Sequence, residues 1–252
     1  MVTFLNVLGE FGFRSFAKVV SSGLIFLLYL LITYFTFAIM CEYQIREKKL
    51  NDVGLFIFSF IMGVLWQLIF PITIFAAPRF LGINWFVFLF VDILMWSSIQ
   101  AVLFFYLARR LFPRQSDKSG ISKKVFLAAL VTFCLITLIP HVLFKFVGLQ
   151  NIVGYLVLMM VLIGVMRLYK KHLASSASRI QNAPNSHFLD GLAIVVILIM
   201  TVCAFFIPQY EATYNEAHIF NQYTFVPMLA TTTLASIALF VYRLVSKKQI
   251  PV

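Results

Sequence analysis

Charged residues divide the chain into seven apolar runs, each long enough to cross about 30 Å of hydrocarbon as a helix rising 1.5 Å per residue. The runs are Val19 to Cys41, Val53 to Ala77, Trp85 to Ala108, Val125 to Phe144, Phe146 to Met166, Gly191 to Gln209 and Asn221 to Tyr242, and Asp92 is the one charge inside them. Little more than Lys145 and the stretch from Gly148 to Asn151 separates the fourth from the fifth, which predicts a tight antiparallel hairpin. Ahead of the first run, Asn6, Glu10, Arg14 and Lys18 recur every four residues while Phe4, Leu5, Leu8 and Phe11 take other faces. That pattern predicts a short amphipathic helix over residues 1–18 lying in the membrane interface; a frayed tail and a gating element are the alternatives.

The connections between runs give the orientation. Sixteen Lys and Arg fall after the first, third, fifth and seventh runs, and four (Arg14, Lys18, Arg79 and Lys145) fall on the other side. Basic short loops are retained in the cytoplasm, so the N-terminus is expected outside and residues 243–252 form a short cytoplasmic tail. The basic connections 109–124 and 167–190 also carry Ser, Gly, Asn and Pro, and read as solvated loops rather than soluble domains. They offer a surface for anionic lipid or for a cytoplasmic protein partner. The first apolar run is too long for the core of a cleavable signal peptide, so it is expected to stay in the protein.

Composition reinforces this picture. Of 252 residues 62% are hydrophobic and 12% charged, and 29 are Phe, an apolar excess that a water-soluble fold does not hide. The chain is therefore read as an all-α integral membrane protein, with the plasma membrane as the expected location. A formal charge of +11 would suggest a nucleic-acid partner in a soluble protein. Here retention of cationic loops explains it, and no nucleic acid is expected.

The search for chemistry is mostly negative. Four histidines and three scattered cysteines show no metal-ligand spacing, and no nucleophile, phosphate-loop or kinase motif is present. No enzyme activity and no cofactor are expected. The polar groups inside the apolar runs are more informative, because a central Asp is unfavourable in a bilayer by about 2.5 to 3.5 kcal/mol. Asp92, Trp96 and Gln100 follow at four-residue steps on one helical face, and Pro71, Pro140, Pro208 and Pro227 cluster in the outer halves of their runs. Gln67, His141, Asn151, Tyr155, Tyr223 and Thr224 lie at similar depth. An outward-opening cavity between proline-kinked helices accommodates both features, with Asp92, Trp96, Gln100, His141, Tyr155 and Tyr223 as its ligand-binding set.

A weak internal echo is also present. Gly54 and Gly191, Leu55 and Leu192, and Pro71 and Pro208 are 137 positions apart, while Asp52 and Asp190 are 138 apart. It pairs the second run with the sixth and the third with the seventh. In helix number, external N-terminus and a three-plus-one-plus-three plan the layout is similar to the SWEET sugar transporters, although their prolines belong to the cytoplasmic halves and no motif residue matches. The Phe-rich spans and basic inner loops also resemble the membrane sensor portion of peptide-pheromone histidine kinases. No site is transferred from either family. Retinal proteins are excluded, since no Lys lies in the last run.

The sequence thus reads as a small carrier that takes a small solute, or a peptide, from the outer face. A seven-helix receptor signalling through a separate cytoplasmic partner is the second reading, and a non-catalytic assembly subunit the third. A reporter active only in the cytoplasm is expected to score when fused after Tyr242 and to stay silent when inserted between Glu211 and Glu216; the opposite pattern would invert the topology.

Overall fold

The computed structural model describes residues 1–21, 23–69, 74, 80–113, 120–144, 151–175, 186–207, 222–246 and 250, and these are helical apart from short connections. The helices are α1 (Val2–Arg14), α2 (Phe16–Ser21), α3 (Leu24–Glu47), α4 (Asp52–Ile69), α5 (Trp85–Val87), α6 (Phe104–Leu111), α7 (Lys123–Phe144), α8 (Ile152–Ser175), α9 (His187–Phe205) and α10 (Gln222–Ser246). Between α5 and α6 the segment Phe88–Leu103 is wound with π geometry, so Trp85–Leu111 is one 27-residue rod. Six rods are long and apolar enough to cross a membrane: α3, α4, Trp85–Leu111, α8, α9 and α10. The chain is a multi-pass helical membrane protein.

The 22-residue α7 supplies a further long helix where the fourth apolar run predicts one. Its first turns lie beside the last turns of α3, where Tyr43 and Phe126 stack with centroids 4.6 Å apart. Most helix bounds differ from those of the apolar runs by a few residues: α3 starts at Leu24, after Gly23, and α8 covers Ile152–Ser175. Hydrophobicity marks the lipid depth, whereas a helix begins where its first amides find a cap. Asn51, Asn84, Ser122 and Ser186 perform that task, each accepting a hydrogen bond from the backbone N–H three residues on.

Large apolar side chains cover the outside of the bundle, including Phe35, Val131, Leu156, Met160, Leu198 and Leu234. Such coverage suits lipid and not water. The helix ends that carry the basic residues meet at one end of the bundle, here termed the basic end. There Arg243 of α10 donates to Asp52 of α4 at 2.7 Å, Tyr106 and Arg110 of α6 donate to Asp190 of α9, and Tyr169 of α8 donates to Gln44 of α3. Asp52 thus ties α4 to α10, and Asp190 ties α9 to α6.

The rod Trp85–Leu111 is the centre of the bundle. Every residue from Met95 to Leu107 is buried, under contact from α1, α3, α4, α9 and α10. In its π segment, Ser97 and Ser98 donate to the carbonyls of Asp92 and Ile93, five residues back. A widened helix of this kind is rare and often marks a functional site.

One expectation is overturned at the start of the chain. α1 forms where the polar stripe predicts a helix, but it does not lie in the interface. It is inserted among α3, α9, α10 and the central rod, with Asn6 and Glu10 buried and Phe4 exposed. Gly9 lies against Met95 and Gln100, Gly12 against Met228, and Thr224 donates to the carbonyl of Phe13. α1 therefore runs from the Thr224 end of the bundle at its C-terminal residues toward the basic end, and Val2 is buried rather than held in an outer layer. The physical reason is that Gly9 and Gly12 give the stripe a flat flank, which lets its polar groups seek partners inside the bundle instead of water.

Far from the basic end, the turn Phe80 to Ile83 holds Leu81 at φ 51° and Gly82 at φ 76°. A Cβ at Gly82 would fall 2.5 Å from the backbone nitrogen of Gly154, so both the dihedral and the contact with α8 require glycine. Gly82→Ala is expected to destabilise the protein by at least about 1 to 2 kcal/mol, read as a lowered melting temperature in detergent. An unchanged melting temperature would show that this turn does not hold α8.

Candidate functional site

Asp92, Trp96 and Gln100 project from the central rod, and all three are fully buried. Four-residue steps on a π-wound helix drift around the axis, so the three side chains meet different neighbours. Asp92 faces α4, where Gln67 Nε2 donates to its Oδ1 at 3.2 Å and the absent side chain of Gly63 lets the carboxyl lie against the helix. The Trp96 ring packs on Trp66 of α4 and on Tyr34 and Phe37 of α3, with centroids 4.7, 5.8 and 5.0 Å away. Gln100 faces α3 and α1, and its Nε2 donates to the Tyr34 hydroxyl at 3.4 Å.

From Gln100 the polar chain continues into α1. The Tyr34 hydroxyl donates to Glu10 Oε1, and Arg14 Nε donates to Glu10 Oε2 at 2.9 Å. The Arg14 guanidinium also lies over the Phe26 ring, 5.4 Å from its centroid. One turn away, the Trp66 indole donates to the Tyr29 hydroxyl at 3.1 Å. The result is a line of polar groups from the partly exposed Arg14 through buried Glu10, Tyr34 and Gln100, flanked by the Trp66–Trp96 pair, with Asp92 and Gln67 beyond it.

Several atoms in this region have no hydrogen-bond partner among the described residues. They are Asp92 Oδ2, Trp96 Nε1, Gln100 Oε1 and both polar atoms of the Asn6 side chain. An unsatisfied polar group away from water costs about 1 to 3 kcal/mol, and lipid offers no compensation. The cluster offers acceptors at Asp92, Gln100 and Asn6 and donors at Trp96 and Asn6.

The remaining members of the predicted set do not join it. Tyr155, on α8, packs with a separate apolar cluster that includes Val64, Val87, Phe88 and Leu158. Tyr223 is exposed at the start of α10. The side chain of His141 lies outside the described residues, as do Pro71, Pro208 and the acidic residues Glu211 and Glu216; Pro140 falls within α7 and Pro227 within α10. Among the described residues, none of the surface of Asp92 opens to the outside. Aromatic rings from α3 and α4 and the inserted α1 fill the space beside the central rod, and Asp92 has no exposed surface. A shallow apolar groove of about 550 Å³, lined by Phe188, Leu234, Ile237, Val241, Tyr242 and Val245, lies on the outside between α9 and α10 and is separate from the cluster.

Sequence reasoning missed Glu10 and Tyr34 as members of this site. Glu10 stands in the stripe that was assigned to the interface, and Tyr34 reads as one of many aromatic residues in a span. The available signal was Gly9 and Gly12 beside the stripe, because small residues three apart permit close helix packing in lipid. Comparison with family models, with curated proteins and with solved structures finds no match.

Tyr34→Phe removes the donor to Glu10 and the acceptor for Gln100 while keeping the ring. It is expected to destabilise the protein by about 1.5 to 3 kcal/mol, the range for a hydrogen bond to a charged group, read as a lowered melting temperature in detergent. A change below about 0.5 kcal/mol would show that Glu10 is satisfied without Tyr34.

Proposed function

We propose that the protein is a small non-catalytic carrier that binds a small polar solute at the Asp92–Trp96–Gln100 cluster, here in an occluded form. The observation that carries this reading is the run of three fully buried side chains on one central rod, each with a polar atom that has no partner among the described residues. A bilayer interior does not tolerate such atoms at no cost. A solute bearing both donors and acceptors completes them, and Asp92 either holds a cationic group or takes a coupling proton. The rod itself supports the reading, because a π-wound helix with spare hydrogen-bonding capacity at its centre belongs to a site more readily than to a strut. In this reading α7 crosses with the six other rods, giving seven spans, and the basic end faces the cytoplasm of the plasma membrane. Basic connections 109–124 and 167–190 then lie on that face.

The same dense packing supports a second reading, a structural or assembly subunit in which the cluster is simply enclosed. Uptake separates the two. Proteoliposomes holding only this chain, given a mixture of small metabolites and analysed by mass spectrometry, are expected to accumulate at least one solute above empty vesicles. Asp92→Asn is expected to lower that uptake about tenfold or more. Uptake that survives Asp92→Asn removes the role assigned to the carboxyl, and no uptake of any solute by the unaltered chain selects the subunit.

A further inference from the structure

α1 is held in the bundle differently from the long rods. It is 13 residues long, against 18 to 27 for the others, and its buried face is Val2, Asn6, Val7, Gly9, Glu10, Gly12 and Phe13. Two glycines in that face let it slide close to methionines: an ideal Cβ at Gly12 would lie 2.8 Å from Met228 Sδ, and one at Gly9 would lie 3.4 Å from Met95 Cε and 3.7 Å from Met200 Cε. Methionine is unbranched and adapts to what lies against it, so this wall repacks readily. In lipid no hydrophobic force holds one helix on another, and what remains is packing and hydrogen bonding. α1 contributes one strong anchor, Glu10, and one unsatisfied side chain, Asn6.

The connection to the rest of the chain is bent at two points. Ser15 sits at φ 65° and ψ 148°, a conformation that L residues rarely adopt, and Gly23 sits at φ 95°. The six-residue α2 lies between them. α1 is thus a short helix on a two-jointed arm, seated against Tyr34, Met95, Gln100, Met200, Thr224 and Met228. Its seat lies directly over Gln100, the near end of the cluster that the carrier reading assigns to solute.

We propose that α1 is a built-in plug, which occupies the solute pathway in this conformation and leaves its seat by rotation at Ser15 and Gly23. Departure exposes the Tyr34 hydroxyl and Gln100 along one wall and the methionines along the other. The seated state is held by Glu10 and opposed by the strained backbone at Ser15. The two residues therefore have opposite effects: weakening Glu10 opens the path, and relaxing Ser15 closes it. The proposal rests on the carrier reading for its purpose, but the movement itself is measurable without any solute.

The test uses the full chain with Cys41, Cys134 and Cys203 replaced by alanine and a single reporter, Met228→Cys, which α1 covers when seated. A membrane-impermeant maleimide is added from the side opposite the basic end, and the labelling rate is followed. Glu10→Gln is expected to raise that rate about tenfold, whereas Ser15→Gly, which relieves the positive-φ backbone of the seated state, is expected to lower it. A second reporter, Ala129→Cys on α7, is buried away from α1 and is expected to label equally slowly in all three backgrounds. Equal rates at position 228 in all backgrounds, or a matching rise at position 129 that signals general loosening, would overturn the plug. If labelling responds as described while uptake is indifferent to Asp92, the carrier site falls and the plug stands. If uptake depends on Asp92 but labelling does not respond, the plug falls alone.

Discussion

Glu10, nearly buried, accepts a hydrogen bond from Tyr34 and another from Arg14. Hydrocarbon leaves a carboxylate few options, and this one has turned its helix toward the bundle rather than toward solvent. The orientation of α1 follows, and with it the filling of the space between α3, α9, α10 and the central rod. The same constraint governs that rod. A helix buried on every side from Met95 to Leu107 must account for each polar group it carries, and among the described residues Asp92 Oδ2, Trp96 Nε1 and Gln100 Oε1 find no partner. The interest of the protein lies in that shortfall.

The two ends of the bundle are built differently. At the basic end, Asp52–Arg243 and Asp190 with Tyr106 and Arg110 close the helix ends pairwise, and His172 meets Asn51 at 3.0 Å. These side-chain contacts join helices that are far apart in sequence. Arg110 and Asp190 are both partly exposed, so their tie acts more on register than on net stability, whereas Asp52 is buried beneath the half-exposed Arg243. Toward the other end, the bundle beside Asp92 is closed by aromatic rings and by α1. The basic end is thus joined by ion pairs between helices, and the other by aromatic packing together with the hydrogen bonds of Tyr34, Trp66, Gln67 and Thr224.

Much of this was legible in the chain and some was not. The rods, their order and the gathering of Lys and Arg at one end follow from apolar runs and from counts of charge. The triad Asp92, Trp96 and Gln100 was legible as a set because any ionisable group inside an apolar run demands an account. Its partners were not. Tyr34 and Trp66 resemble any other aromatic residue of a span until their neighbours are known. Tyr155 and Tyr223 were grouped with Asp92 by depth alone, and depth says nothing about which side of a rod a residue faces; one packs in a separate cluster and the other is exposed.

The sequence by itself determined that this chain crosses lipid repeatedly and which connections stay together, because both depend on sums over many residues: apolar length against bilayer thickness, and cations against translocation. Only the tertiary structure decided that α1 sits within the bundle and that the third rod is its axis. A four-residue polar stripe is equally compatible with water on one side and with a polar seat among helices. The choice between them rests on whether Tyr34, Gln100 and a row of methionines, drawn from distant parts of the chain, come together to receive it.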